Sequence, residues 1–142
     1  MKSEGKIQLI VAALVILFSY TALSKLVDFE NFHRQLSNQV FSNWMADILW
    51  IFLPLTEIAV CVLLVIKRSR LIGLYISLIL MTAFTGYMGL VVLNIFDRVP
   101  CSCGGVLKSM GFTTHFFFNL FFLILSAIAI RLSDQQNIKG YP

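Results

Sequence analysis

An all-α membrane bundle of four spanning helices, with both termini on one side, is the fold this sequence predicts. Three observations predict it. Of the 142 residues, 58% are hydrophobic and only 13% charged, where a soluble domain carries about a quarter charged residues. The mean hydropathy is +0.86. The charges are also bunched between four apolar runs. Each run is near the roughly 20 residues that a helix needs to cross a bilayer core of about 30 Å. Backbone groups in lipid must be paired within their own segment, so such runs are helices. One domain over residues 1–142 is expected. The net charge of +4 and pI of about 9.2 do not point to nucleic acid. The basic residues flank the spans, where the cytoplasmic bias of Lys and Arg explains them.

The first span covers about 7–23 and follows a basic start, Lys2 to Lys6. That opening is like a signal peptide, but no small-residue cleavage site leads into a soluble domain, so an uncleaved helix is expected. The second span covers about 48–66 and holds one acid, Glu57, and one proline, Pro54. The third, about 71–95, and the fourth, about 112–130, are uncharged. The cluster Lys67-Arg68-Ser69-Arg70 between spans two and three sets the orientation, N-in and C-in. The protein is then expected in the bacterial cytoplasmic (inner) membrane, with the loop between spans three and four facing the periplasm. In the first outer loop, 25–47, Phe29, Phe32, Leu36, Val40, Phe41 and Trp44 recur at three- and four-residue steps. Such spacing fits a short surface helix, or a loop packed over the bundle mouth. Trp44, Trp50 and Tyr87 are candidates for the interfacial aromatic belt.

Polar residues within the spans gather toward the outer end. Glu57 lies about 15 Å into its helix by helical rise. A midspan acid is costly and needs a partner facing the bundle interior; it marks either a functional site or a neutral, hydrogen-bonded acid. His115 and Asn119 share a face of the fourth span, beside Thr114. Thr21, Lys25 and Asp28 share a face of the first, where Lys25 can snorkel or pair with Asp28. Thr82, Thr85 and Tyr87 add hydroxyls on the third. The inner half is almost wholly aliphatic.

Three cysteines are present. Cys61 lies within a span and reads as a small buried hydrophobe. Cys101 and Cys103 stand one residue apart in Pro100-Cys101-Ser102-Cys103-Gly104-Gly105, outside any span. A bridge between residues i and i+2 closes a strained ring, and strained or exposed disulfides are the labile, catalytic kind. The loop is too short for such a bridge to stabilise the fold much. Thiol–disulfide chemistry therefore leads, with His115 placed to tune a thiol or move a proton. A thiolate metal site with His115 as third ligand is a weaker alternative, and no metal is assigned.

Phe18-x-x-Thr21-Ala22-x-x-Lys25-Leu26-x-Asp28-Phe29-x-x-Phe32, Pro54-x-x-Glu57, Cys101-x-Cys103-Gly104-Gly105 and His115-x-x-x-Asn119 follow in order along nearly the whole chain. In these motifs the chain resembles the DoxX-like superfamily, and within it the MauE-like proteins of methylamine utilisation. The resemblance implies a four-helix membrane bundle that handles disulfides while exported proteins mature. It also implies an architecture like that of quinone-coupled disulfide-generating enzymes. Cys101, Cys103 and His115 are then the candidate catalytic residues. Lys25, Asp28, Glu57 and Asn119 are the candidate substrate or quinone pocket. The expected partner is an exported protein with cysteines. Electrons pass to a quinone, which is the one candidate cofactor, or to a separate redox protein. Two rivals stand beside this reading: a non-catalytic assembly factor that binds an exported polypeptide, and a small proton-coupled transporter working through Glu57.

Overall fold

In the computed structural model of the protein, the described residues are 2–39, 42–95 and 111–139. Within them the chain forms five helices: α1 (Lys2–Val27), α2 (Phe29–Ser37), α3 (Asn43–Val65), α4 (Arg70–Val92) and α5 (Phe112–Lys139). Four of these, α1, α3, α4 and α5, are long and apolar enough to cross a membrane. All four expected spans are there. Their ends differ from those of the apolar runs, most of all in α1 and α5, which continue into polar sequence. Only 22–33% of an 18-residue apolar stretch of each span is buried inside the bundle. Residues such as Ile16, Phe52, Ile79 and Phe117 point outward from it. That much apolar surface needs hydrocarbon as its solvent, and the protein is a multi-pass membrane protein.

The helices pack as a ring. The most extensive contacts join α4 to α5 and α1 to α3; α3 with α4 is intermediate, and the α1–α5 seam is thinner. Antiparallel α1 and α3 are held in register by two polar pairs. Ser19 Oγ lies 3.4 Å from Cys61 Sγ, and Lys25 Nζ lies 2.8 Å from Glu57 Oε1. Cys61 is half-buried, with its thiol also 3.8 Å from the Val15 carbonyl. The central core is aliphatic and aromatic: Leu14, Phe18, Val60, Leu64 and Leu74 are almost fully buried. One correction applies to the aliphatic half. Ser77 and Ser126 bury their hydroxyls against each other at 3.1 Å, and Ser126 also donates to the Phe122 carbonyl. They form a polar tie between α4 and α5 inside that core.

The helix ends are satisfied locally. The last carbonyls of α3 take the Ile66 N–H on Val62, the Ser69 hydroxyl on Leu63 and the Arg70 guanidinium on Leu64. Orphan carbonyls at a helix end need such partners, and Ser69 and Arg70 of the basic turn supply two of them. At the far end of α4 the helix stops at Val92, three residues before the apolar run ends. Asn94 has φ 54°, the left-handed conformation that Asn tolerates better than most. The Ile95 N–H then reaches the Leu90 carbonyl, and the Asn94 N–H reaches Val91, which is the Schellman pattern.

Between α1 and α3 the short helix of the two expected alternatives is present. The helix α2 forms, and it packs on the bundle, burying Phe32 and Leu36 against Ala46, Leu49, Trp50 and Leu53 of α3. Trp44 belongs to α3 and is exposed, while Val40 and Phe41 lie outside the described residues. Trp50 is not a free belt aromatic: its indole N–H donates to the Phe29 carbonyl at 2.9 Å, and its ring stacks on Phe29 at 4.3 Å. Tyr87 likewise donates to the Gln39 side chain, tying α4 to the chain after α2. A Trp50→Ala protein should lose the stack and one hydrogen bond, worth about 1–3 kcal/mol together. Amide hydrogen exchange in 29–37 is then expected to quicken by at least about tenfold, with α4 unchanged. Unchanged exchange in α2 would show that Trp50 does not hold it.

Candidate functional site

Glu57 finds its partner across the α1–α3 seam. Its side chain is 1% exposed and that of Lys25 is 6% exposed, with Oε1 and Nζ 2.8 Å apart. Lys25 does not snorkel: its ammonium also donates to the Thr21 carbonyl at 3.3 Å and lies 5.7 Å from the centre of the Phe32 ring. The buried pair is electrically neutral as a unit, which is how a bundle interior tolerates two charges. Its hydrogen bonding is incomplete, because Glu57 Oε2 has no partner among the described residues. The nearby Thr21 hydroxyl donates to the Phe18 carbonyl at 3.1 Å.

Beside the pair is a cavity whose walls come from all four spans. Lys25 and Glu57 line one side, and His115 and Asn119 line the other. The i,i+4 spacing of His115 and Asn119 puts both side chains on the inward face of α5, where each is less than one-tenth exposed. Among the described residues His115 Nδ1 has no hydrogen-bond partner, and neither has the Thr85 hydroxyl, buried on the neighbouring turn of α4. The rest of the wall is largely apolar and ring-rich, with Phe84, Tyr87 and Phe118 beside Leu53, Met81 and Met88. The cavity has a volume of about 80 Å³. Buried polar atoms without partners are rare in folded proteins. Three such atoms occur among the described residues, two of them on residues that line the cavity.

Of the residues expected to form a pocket, the structure brings Lys25, Glu57 and Asn119 together, with His115 among them. Asp28 is exposed at the start of α2, accepting from Asn31 at 2.9 Å, and does not line the cavity. Thr82 is exposed and donates to the Leu78 carbonyl, and Thr114 is exposed as well. Cys101 and Cys103 lie outside the described residues. The sequence alone ties them to the site: their segment leaves the end of α4 after Ile95 and returns at Gly111, four residues before His115. Sequence reasoning missed the cavity walls, Phe84, Met81, Met88 and Phe118. Among apolar span residues, those that face a cavity carry the same letters as those that face lipid.

No curated protein and no solved structure shows a significant match to the chain. A family model does match, over residues 5–132, and it is described as Methylamine utilisation protein MauE. That match takes in α2, nearly all of the four spans and every residue named above as lining the cavity. The chain belongs to the MauE family.

Proposed function

We propose that this protein is a membrane thiol–disulfide redox protein serving the maturation of exported proteins, in the methylamine-utilisation setting that its family is named for. The observation that carries the reading is the placement of the cavity. Its lining runs from mid-helix residues such as Phe18 and Met81 to Met88 and His115, toward the end where α4 finishes and α5 begins, and the chain between those two ends carries Cys101 and Cys103. By the Lys and Arg distribution that end faces the periplasm, where a disulfide persists.

The reaction is thiol–disulfide exchange. A thiolate of the exported partner attacks one sulfur of the Cys101–Cys103 disulfide, forming a mixed disulfide and releasing the other sulfur as thiolate. The partner's second thiolate then closes the partner's disulfide and leaves both cysteines reduced. Reoxidation removes two electrons and two protons from the pair and delivers them to a quinone, which becomes the quinol, or to a separate redox protein. His115, in the first turn of α5, serves as the proton carrier for these steps.

In cells, Cys101 and Cys103 are expected to form a disulfide that mild reductant opens, as read by mass-tag alkylation. One of the variants Cys101→Ser and Cys103→Ser should accumulate a mixed disulfide with an exported protein. If both thiols stay reduced and freely alkylated, and neither variant traps a partner, the exchange reading fails. A non-catalytic assembly role then takes its place.

A further inference from the structure

A groove on the outside of the bundle, between α1 and α5, is lined by Ala13, Ile16, Tyr20 and Phe122, and it shares Leu17, Thr21 and Phe118 with the cavity. The α1 residues of the groove step by three and four, so they form one face about 12 Å long by helical rise. The groove follows the thin α1–α5 seam, and its outer wall is open, with Ile16 70% exposed. A ligand with a polar head and an apolar tail would place the head in the cavity and the tail along this groove.

We infer that the cavity and groove together form a bilayer-accessible binding site for a quinone, the ring seated among Lys25, Glu57, His115 and Asn119 and the tail lying between α1 and α5. The inference deepens the redox reading of the same site and rests on it. Charge argues against an anionic lipid headgroup, since Lys25 is already neutralised by Glu57 at 2.8 Å and no second Lys or Arg among the described residues lines the cavity. An uncharged ligand avoids that cost. The walls suit a flat ring, with Phe84, Tyr87 and Phe118 offering apolar faces. The hydrogen-bonding set suits both states of a quinone. Carbonyl oxygens can accept from the Lys25 ammonium and the Asn119 amide. Hydroxyls of the reduced ring can donate to Glu57 Oε2 or His115 Nδ1, both buried without partners among the described residues.

The test uses the full-length protein in lipid nanodiscs. One probe is a dimethoxy-methyl-benzoquinone bearing a decyl tail; the other is the same ring without the tail. Binding is measured by calorimetry for the wild type, for Ile16→Trp and for Asn119→Leu. Ile16 is exposed, so a tryptophan there narrows the groove without entering the core. Ile16→Trp is expected to weaken the tailed quinone by at least about tenfold and leave the tailless ring unchanged, whereas Asn119→Leu should weaken both. Equal effects of Ile16→Trp on the two probes, or none on either, overturn the groove assignment. Failure of both to bind the wild type overturns the quinone assignment. If a mixed disulfide is still trapped in that case, the exchange reading survives with a protein as electron acceptor. If both probes bind as expected and no partner is trapped, the exchange reading falls by itself.

Discussion

Lys25→Met is expected to destabilise the protein by about 3–5 kcal/mol, the loss that follows when one partner of a buried ion pair is removed and the other charge stays behind. Glu57 would be left at 1% exposure with neither oxygen bonded among the described residues, since Oε1 loses Lys25 and Oε2 has no partner already. The double variant Lys25→Met/Glu57→Leu should recover most of that loss, because two apolar side chains of similar volume remove the desolvation cost along with the attraction. Unfolding in mixed detergent micelles, titrated with dodecyl sulfate, measures all three proteins on one scale. A Lys25→Met protein as stable as the wild type would mean that Glu57 is carried as a neutral acid. The same double variant should lose quinone affinity despite its recovered fold, which separates the pair's structural role from its role in the cavity.

The second large effect concerns Gly73. Helix α4 passes so close to the end of α3 that a Cβ on Gly73 would stand 3.0 Å from the Leu64 nitrogen and 3.1 Å from the Leu63 carbonyl carbon. The obstacles are mainly backbone, which cannot swing aside, so Gly73→Ala should cost about 1–3 kcal/mol as the two helices are forced apart. Small residues serve this purpose in membrane bundles, where lipid tails are as apolar as the side chains and close packing drives association. At Gly86, thirteen residues on in the same helix, an added Cβ would meet nothing within 4 Å among the described residues. Gly86→Ala should therefore stabilise α4 by about 0.5–1 kcal/mol through helix propensity alone. Opposite signs for the two alanines, measured by the same titration, would support the close approach. Equal signs would refute it.

The four spans are legible in the sequence because a bilayer imposes a length and an apolar character that residue letters show directly. The inward face of α5 is legible too, since His115 and Asn119 are polar letters in an apolar run and their spacing fixes one face. The pairing of Lys25 is not. Asp28 is its neighbour by helical spacing, whereas Glu57 is 32 positions away, and only the packing of α1 on α3 brings the two charges together. Trp50 and Tyr87 mislead for a related reason. An aromatic near a span end satisfies the belt rule equally well whether its polar atom meets a headgroup or a partner in its own chain. The Ser77–Ser126 tie is illegible because each serine alone is a common residue within a span.

The ion pair between α1 and α3 also has a consequence for how the chain enters the membrane. Glu57 is the one charge in the middle of an apolar run, and α3 taken by itself would carry it uncompensated into hydrocarbon. Its counter-charge sits on α1, the spanning helix made just before it. The hairpin of α1 and α3, with α2 folded across its connection, is thus the smallest piece of this protein that is electrically balanced inside the bilayer. Biogenesis has to deliver those two helices as a pair, with α4 and α5 joining a nucleus already neutral.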